Sequence, residues 1–386
     1  MSGLLVGEVV RSAAGAAPHR PAVVLCGRTL TFAALDAAAD RAAVRLAARG
    51  VRRGDRVVWP LAGDPVETLQ VYAGAARAGA VLVPLAPDAW SARVVRAAAP
   101  CLVLTDAERA MEGARLATAA RVRHAVLAED AAPAEEAVLA EEVVRAEDAV
   151  RTDGDGPEEK DPHLVLFAGP GRPRGVVLSH RASVLRAHCG GRPEPPGVLV
   201  CGFPAGHWSA WTAVLRQWQA RGTVVLPEAP GPGAICAAVR EHRATRLLCP
   251  PEVWWQVLDT APHHLATLRS ADTETAAGAA PPRLLEAIRT ATPAARVRAF
   301  LSTPEAGDVA VLDHADVRAR PGSCGVPAPG VAARVAHGEL WVRGPLLFDG
   351  YLKDKKATDA ALRDGWFRTG RAARLDGDGH LHLTGP

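Results

Sequence analysis

Apolar positions in the first 127 residues follow two alternating patterns. Short runs rich in valine and leucine recur at Asp55 to Trp59 and Ala80 to Pro84, separated by longer alanine-rich stretches whose apolar residues repeat at helical spacing. In Phe32 to Arg49 one such face is marked by Leu35, Ala39, Ala42, Ala43, Leu46 and Ala47. Thr29 to Thr31 leads into it, and Gly50 stands where a helix-ending glycine belongs. Pro65 to Ala78 predicts a second helix. Strands that are apolar throughout suit a sheet buried on both faces, and their alternation with helices predicts parallel strands joined by helical crossovers.

From Ala128 to Asp161 the pattern breaks: thirteen acidic residues stand against three basic ones, and the stretch ends in a turn-rich run, RTDGDGPEEKDP. This predicts a surface helix and connector, and places a first subdomain boundary near residue 150. Apolar strands return at His163 to Phe167, Gly197 to Phe203, Gly222 to Leu226 and Thr245 to Cys249, again separated by helical stretches, so a second α/β unit is expected over about 151–320. Beyond Arg320 short runs alternate with glycine-rich turns, among them Asp376-Gly377, a pair suited to hairpins. The expected fold class is α/β: two doubly wound subdomains and a smaller antiparallel β subdomain over about 321–386.

Composition narrows the function classes. At 386 residues and 48% apolar content the chain can bury more than one core, while its net charge of +3 and its lack of a Lys/Arg-rich run exclude the footprint of a nucleic-acid binder. A metabolite partner is expected instead. The N-terminus lacks the basic and apolar blocks of a secretory signal, and no stretch approaches the roughly 18 to 20 apolar residues of a membrane span, so a cytoplasmic protein with no membrane partner is expected. Seven scattered cysteines with no CxxC pair read as buried small side chains, not as a disulfide framework or a zinc site.

Candidate chemistry concentrates in Leu166-Phe-Ala-Gly-Pro-Gly-Arg-Pro-Arg-Gly-Val-Val-Leu-Ser-His180. Its glycines, Gly169, Gly171 and Gly175, would let backbone N–H groups approach a phosphate, with Arg172 and Arg174 as neutralising cations. A generic Gly/Pro-rich turn explains the same letters.

The stretch also resembles the loop YTSGTTGxPKGVxxSH of the adenylate-forming, AMP-binding superfamily in its length, in Gly171, Pro173 and Gly175, and in the closing Ser179-His180. Other segments resemble that family in the same order. Thr31-Phe-Ala-Ala-Leu35, Gly50-Val-Arg-Arg-Gly-Asp-Arg-Val57 and Ala78-Gly-Ala-Val-Leu-Val-Pro-Leu85 look like its opening subdomain. Phe203-Pro-Ala-Gly-His207 is similar to its Pro-x-Phe-His segment, Gly278-Ala-Ala-Pro281 to its Gly-Gly-Ala-Pro turn, and Thr303-Pro-Glu305 to part of YGxTE. Gly338-Glu-Leu-Trp-Val-Arg-Gly-Pro345 and Gly365-Trp-Phe-Arg-Thr-Gly370 complete the set.

The resemblance implies the large N-terminal domain of an acyl- or aryl-CoA synthetase. Its reaction would join a small carboxylic acid to the α-phosphate of ATP with Mg²⁺ present, release pyrophosphate, and pass the acyl group to a thiol such as CoA or a carrier protein. By the same resemblance Arg174, His207 and Glu305 are the catalytic candidates, and Glu305 is also the metal candidate. Gly169, Gly171, Arg172, Gly175, Gly278, Thr303, Thr369 and Arg371 are the nucleotide-binding candidates, and His207, Trp208 and Trp211 border the acyl pocket. Read without the family, Glu305 is a solvated charge, His207 a satisfied buried histidine, Thr369 a turn residue, and the tryptophans core packing.

Several positions depart from the family pattern. Phe167, Ala168, Gly169 and Pro170 stand in place of Ser-Gly-Thr-Thr and remove the loop's hydroxyl donors, and Arg174 replaces a lysine. Leu301 and Ser302 stand where an aromatic residue and a glycine would flank adenine, with Phe300 supplying a ring if the register slips by one. Pro304 replaces a threonine. Arg371 takes the place of the aspartate that would accept from the ribose hydroxyls, and loss of such a charged acceptor costs about 1.5 to 3 kcal/mol. The family's C-terminal lid domain, with its catalytic lysine, would begin at about Pro386, so that lysine is expected to be absent or to come from another polypeptide. Two functions remain open on the sequence: an acid-activating ligase that is weak alone or completed by a separate lid, and a non-catalytic relative that binds a ligand or scaffolds a partner enzyme.

Overall fold

The computed structural model describes residues 3–25, 27–61, 65–86, 89–127, 156–168, 174–188, 196–204, 207–227 and 231–385. Most of the acidic stretch from Ala128 to Asp161, and the loop residues Gly169 to Pro173, lie outside these. The chain forms two compact units, one built from residues 1–19, 31–184 and 349–353, the other from 20–30, 185–348 and 354–386.

Within the described residues the chain opens with helix α1 (Val6–Ala16), strands β1 (Pro21–Leu25) and β2 (Arg28–Thr31), and helix α2 (Phe32–Ala48). Then come β3 (Arg56–Pro60), α3 (Pro65–Arg77), β4 (Val81–Leu85), α4 (Ala92–Ala98), β5 (Leu102–Thr105), α5 (Ala110–Ala120), β6 (Arg123–Val126), β7 (Pro162–Ala168) and β8 (Arg174–Ser179). The first unit holds a seven-stranded sheet in which β8, β7, β4, β3, β5 and β6 follow one another, with the short strand Gly350–Tyr351 on the outside of β8. All five residues of β4 are buried, as a strand covered on both faces requires.

Helix α2 begins where the sequence indicates: Thr31 is its N-cap, accepting from the Ala34 N–H at 3.2 Å, and Gly50, at φ +72°, lies just beyond its end. Its buried face is Phe32, Leu35, Ala38, Ala39, Ala42 and Leu46, whereas Ala47 is exposed. Alanines are needed on that face because α3 crosses it closely. A Cβ at Gly74 would lie 2.5 Å from that of Ala42 and 2.9 Å from the Ala39 carbonyl oxygen, so any larger residue would force the helices apart.

The subdomain boundary expected near residue 150 is not where sheet membership changes. β7 pairs with β4 in parallel, Leu82 opposite Leu164, and then turns back into the antiparallel β8, so residues 162–179 complete the first sheet. A change in composition carries no information about which sheet the following strand joins.

The second unit contains β9 (Val198–Cys201), β10 (Thr223–Val225), β11 (Arg246–Cys249), β12 (Ser270–Thr275), β13 (Arg296–Thr303), β14 (Gly307–Leu312) and β15 (Val326–Pro327). Together with β1 and β2 they form a nine-stranded sheet in the order β15-β14-β13-β12-β11-β9-β10-β1-β2, parallel from β13 to β1. One face packs on a core that includes Val200, Ile235, Leu247, Trp254, Leu284 and Val297. Trp218 and Trp254 are fully buried, and their indole N–H groups donate to the carbonyls of Ala22 (3.2 Å) and Asp272 (2.8 Å). Cys201, Cys236, Cys249 and Cys324 are buried free thiols. Past residue 331 the strands Ala332–Ala336, Glu339–Arg343, Leu362–Arg363, Trp366–Leu375 and Leu381–Leu383 form the expected antiparallel sheet. Asp376 opens the loop between the last two of these strands, accepting from Gly379 N–H and donating its own N–H to His380.

Candidate functional site

In the second unit, chain order and sheet order disagree at one place. From β9 the chain moves to β10 on one side and then to β11 on the other. Ligands of open α/β sheets bind at such a reversal. Several candidates stand at this edge: His207 follows β9, Gly278 follows β12, and Thr303 and Glu305 close β13.

His207 is the N-cap of the helix Trp208–Gln219, and its Nδ1 accepts from the Ser209 N–H at 3.3 Å. That bond leaves the ring proton on Nε2, which becomes a donor. The ring stacks on Phe203, 4.7 Å between centroids, and tilts against Trp208. Burial lowers its pKa to about 4, so the imidazole is neutral at physiological pH. Trp208 and Trp211 are both buried. Gly278 ends a turn in which the Thr275 hydroxyl donates to the Gly278 carbonyl, and a Cβ built on Gly278 would meet nothing within 4 Å.

The Pro304–Glu305 turn is held from several directions. Thr303, itself buried, accepts at Oγ1 from the Ala306 N–H at 3.1 Å, so its hydroxyl is committed to the turn. Arg186, at 4% exposure, donates to the carbonyls of Leu346 (2.7 Å), Pro304 (2.8 Å) and Glu305 (2.9 Å). The Phe348 N–H also donates to the Glu305 carbonyl, at 2.7 Å. The backbone carrying the Glu305 carboxylate is therefore fixed.

Thr369 and Arg371 lie on the strand Trp366–Leu375. The Thr369 hydroxyl donates to the Leu340 carbonyl at 2.8 Å and accepts from the Arg371 N–H at 3.2 Å, which gives it a sheet-pairing role. Arg371 Nη1 donates to the Ala277 carbonyl at 3.0 Å, tying this strand to the Gly278 turn. Phe300 is engaged away from that turn, beneath the guanidinium groups of Arg298 and Arg216 at 5.3 and 5.9 Å from its ring centre.

The first unit holds the other candidates. Arg174 opens β8 with its guanidinium 5.4 Å from the ring centre of Tyr351. Gly175 is buried within β8, where a Cβ would come within 3.0 Å of Leu352 Cβ and Val165 Cγ1; glycine is required there for packing. His180 is fully buried and accepts at Nδ1 from the Val6 N–H, anchoring α1. Gly169, Gly171 and Arg172 lie outside the described residues.

One feature of the second unit escaped the reading of the sequence. On the face of β12 to β14 beneath the helix Trp208–Gln219 the side chains are polar. Asp272 pairs with Arg298 at 2.7 Å and Asp308 with Arg216 at 2.8 Å; Ser302 donates to Asp308 at 2.8 Å and Ser209 to Glu274 at 2.5 Å. Burial, with the Asp308 charge second, pushes the Glu274 carboxyl up to about 8, against the opposing pull of Ser209 and Arg216. The signal was present in Ser270-Ala-Asp-Thr-Glu-Thr275, where acidic residues alternate in a strand otherwise placed for burial on both faces.

A doubly wound sheet with a neutral histidine, a glycine turn and an anchored glutamate at its carboxyl edge is built as a small-molecule site. Over residues 10–352 the chain matches the AMP-binding enzyme family, to which it belongs. It is 31% identical over 394 residues to a feruloyl-CoA synthase from Amycolatopsis, covering 95% of this chain and 75% of that protein. An 80-residue stretch, 20% of the chain, is 44% identical to the long-chain-fatty-acid–CoA ligase FadD15 of Mycobacterium tuberculosis and covers 13% of it. The N-terminal domain of FACL13 from Mycobacterium tuberculosis superimposes with a TM-score of 0.80 at 21% identity, covering all of both chains. O-succinylbenzoate–CoA synthetase from Bacillus subtilis gives a TM-score of 0.80 at 19% identity, over 97% of this chain and 78% of that one. The protein is thus acyl- or aryl-CoA ligase-like, with the fold expected from its sequence.

Proposed function

We propose that this chain binds ATP with Mg²⁺ and a small carboxylic acid and joins them as an acyl-adenylate with release of pyrophosphate, for transfer to a thiol acceptor such as CoA or a carrier protein. The observation that carries the reading is the gathering of His207, the Gly278 turn and the fixed Glu305 at one carboxyl edge of the second unit's sheet. The described residues contain no cluster of three or more potential metal ligands. Mg²⁺ is commonly held by one or two carboxylates together with substrate phosphates. Glu305 would be the protein's ligand to it. His207 would donate from Nε2 toward the acid, with Trp208 and Trp211 walling its pocket. By the resemblance, Arg172 and Arg174 would neutralise the phosphates, and Gly169 and Gly171 would let backbone N–H groups approach them. Catalysis of this kind depends on positioning and charge neutralisation. A lid domain, in this polypeptide or another, would complete the site, and the buried free thiols are in keeping with the cytoplasm.

One observation favours the second reading, a ligand-binding relative that does not turn over. Arg371 places a donor where the resemblance puts a ribose acceptor, and that donor is engaged with Ala277. Hydroxamate formation with hydroxylamine across a panel of acids, alongside calorimetry with ATP and Mg²⁺, separates the two. ATP-dependent turnover that is lost in Glu305→Gln supports the ligase; ATP binding without turnover supports the relative. Absence of ATP binding overturns both nucleotide roles.

A further inference from the structure

The antiparallel sheet past residue 331 buries one face and leaves the other to solvent. Leu340, Val342 and Phe367 are buried on the inner face, whereas Arg334, Arg343 and Arg363 alternate with them and are exposed. The register lines up the outward residues. Arg334 is the Cα partner of Trp341, Trp341 that of Arg368, and Arg363 that of Trp366. The Arg334 guanidinium lies 4.9 Å from the ring centre of Trp341 and 4.1 Å from that of Trp366, and the Arg368 guanidinium lies 5.4 Å from that of Trp341. Arginine and tryptophan therefore alternate across the strands.

This face does not balance its own charge. Glu339 is the only acidic residue in the strands Ala332–Ala336, Glu339–Arg343, Leu362–Arg363 and Trp366–Leu375. It is taken by Arg368, which donates to it from Nη2 at 2.8 Å and from Nε at 3.2 Å. Arg334, Arg343 and Arg363 have no carboxylate partner among the described residues. Arg343 stands diagonally across from Arg334 on the next strand, about 7 to 8 Å away at the backbone. Like charges at that distance repel, and a counter-charge brought by a partner relieves the repulsion.

The stacking indicates what kind of partner that is. A guanidinium over an indole uses its flat face there and keeps its N–H edge for a planar acceptor, which a carboxylate matches. Held by two rings, Arg334 also has less side-chain freedom to lose on binding. Arginine and tryptophan are the residues on which protein–protein binding energy concentrates. A single-stranded nucleic acid needs open aromatic faces on which to stack its bases, and a lipid surface needs protruding apolar side chains. Here Arg334 lies over both rings, and both tryptophans are half-buried.

We infer that this face is the docking surface for a protein partner whose contact segment is rich in carboxylates, which meet Arg334, Arg343 and Arg363. None of these arginines is a nucleotide or acid candidate, so the surface stands whether or not the chain activates an acid.

The test uses the whole chain and fluorescence anisotropy at low salt, with a labelled peptide Glu-Ala-Glu-Ala-Glu-Ala-Glu, the same peptide with glutamine for glutamate, and a thymidine oligonucleotide of the same charge. Sedimentation with phosphatidylserine vesicles accompanies it. The glutamate peptide is expected to bind about tenfold more tightly than the glutamine peptide, and more weakly as salt is raised. The paired change Arg334→Gln with Arg343→Gln should weaken it about tenfold. Arg41→Gln with Arg283→Gln removes the same charge from exposed helix positions and should leave binding unchanged. Equal losses in the two paired variants mean general attraction and overturn the surface, as does absence of peptide binding. Binding of the oligonucleotide or the vesicles that exceeds that of the peptide and is lost with Arg334 and Arg343 assigns the face to nucleic acid or lipid and rejects a protein partner. Thermal melting of each variant shows that any loss is not unfolding.

Discussion

Arg186 Nη2 donates to the backbone carbonyl of Glu305 at 2.9 Å, and its other donors close on Pro304 and Leu346. The side chain is buried, and a Cβ on the neighbouring Gly307, itself at φ +67°, would lie 3.0 Å from Arg186 Cγ. One guanidinium thus saturates the carbonyls of the turn that presents the candidate metal ligand. In Arg186→Met the Pro304 and Leu346 oxygens lose this donor and Glu305 keeps only the Phe348 N–H, and unfolding in urea should show a loss of about 2 to 4 kcal/mol. Arg186→Lys, a point charge on a flexible stem, should recover part of the stability and leave weakened ATP·Mg²⁺ binding, because it cannot span three acceptors in one plane. Unchanged nucleotide affinity in a folded Arg186→Lys variant would separate the turn's rigidity from ligand binding.

Two buried imidazoles set the acid limit of stability. His180 and His207 are each lowered to about 4 by burial, although Asp161 opposes the shift at His180. As pH falls below roughly 6.5 the unfolded chain takes up protons that these rings refuse, so stability present at neutral pH is lost between there and about 4. Each ring should contribute on the order of 2 to 3 kcal/mol to that loss. His180→Gln, which offers Val6 an acceptor that does not titrate, should flatten the acid limb of a plot of melting temperature against pH. A limb of unchanged slope would show that His180 does not set it.

How much of this was legible in the sequence depends on the distance over which each residue acts. The boundaries of α2 follow from local chemistry, a threonine cap and a left-handed glycine, and needed no fold to be read. The segments that resemble family motifs carry His207, Gly278 and Glu305, which follow β9, β12 and β13 in the chain. What failed was long-range. The return of β7 to β4 depends on pairing across 82 and 164, and the packing role of Gly175 on Leu352 and Val165. Arg186 reads as an ordinary basic residue near the end of a helix until Leu346, Pro304 and Glu305 are seen converging on it. Glu274 lay within view as one of two alternating acids, but only the fold shows the burial and the neighbouring Asp308 that raise its pKa.

Arg371 offers a direct test of the nucleotide reading. Its guanidinium meets the Ala277 carbonyl at a hydrogen bond that is exposed, so its loss costs little stability. Arg371→Asp exchanges a donor for an acceptor at the position that the family resemblance assigns to ribose. If adenosine lies along the strand Trp366–Leu375, affinity for AMP should rise about tenfold, worth about 1.4 kcal/mol, by equilibrium dialysis. Unchanged or weaker AMP binding would show that the arginine serves another ligand, or only the Gly278 turn.

Glu274 predicts a second pH dependence, opposite in sign to that of the histidines. Its carboxyl group is pushed up to about 8 in the folded chain by burial and by the Asp308 charge, whereas in the unfolded chain it ionises near 4.5. Between those values the unfolded state gives up a proton that the folded state keeps. The stability contributed below pH 4.5 is therefore lost progressively as pH rises to about 8. Glu274→Gln removes the titration and retains an acceptor for Ser209, so its melting temperature should exceed that of the native chain at pH 8.5 and the two should converge toward pH 5. Thermal melts of the native chain and of Glu274→Gln at pH 5, 7 and 8.5 check this. A Glu274→Gln variant that tracks the native chain at every pH would mean that the carboxyl group is ionised throughout and already satisfied within the protein.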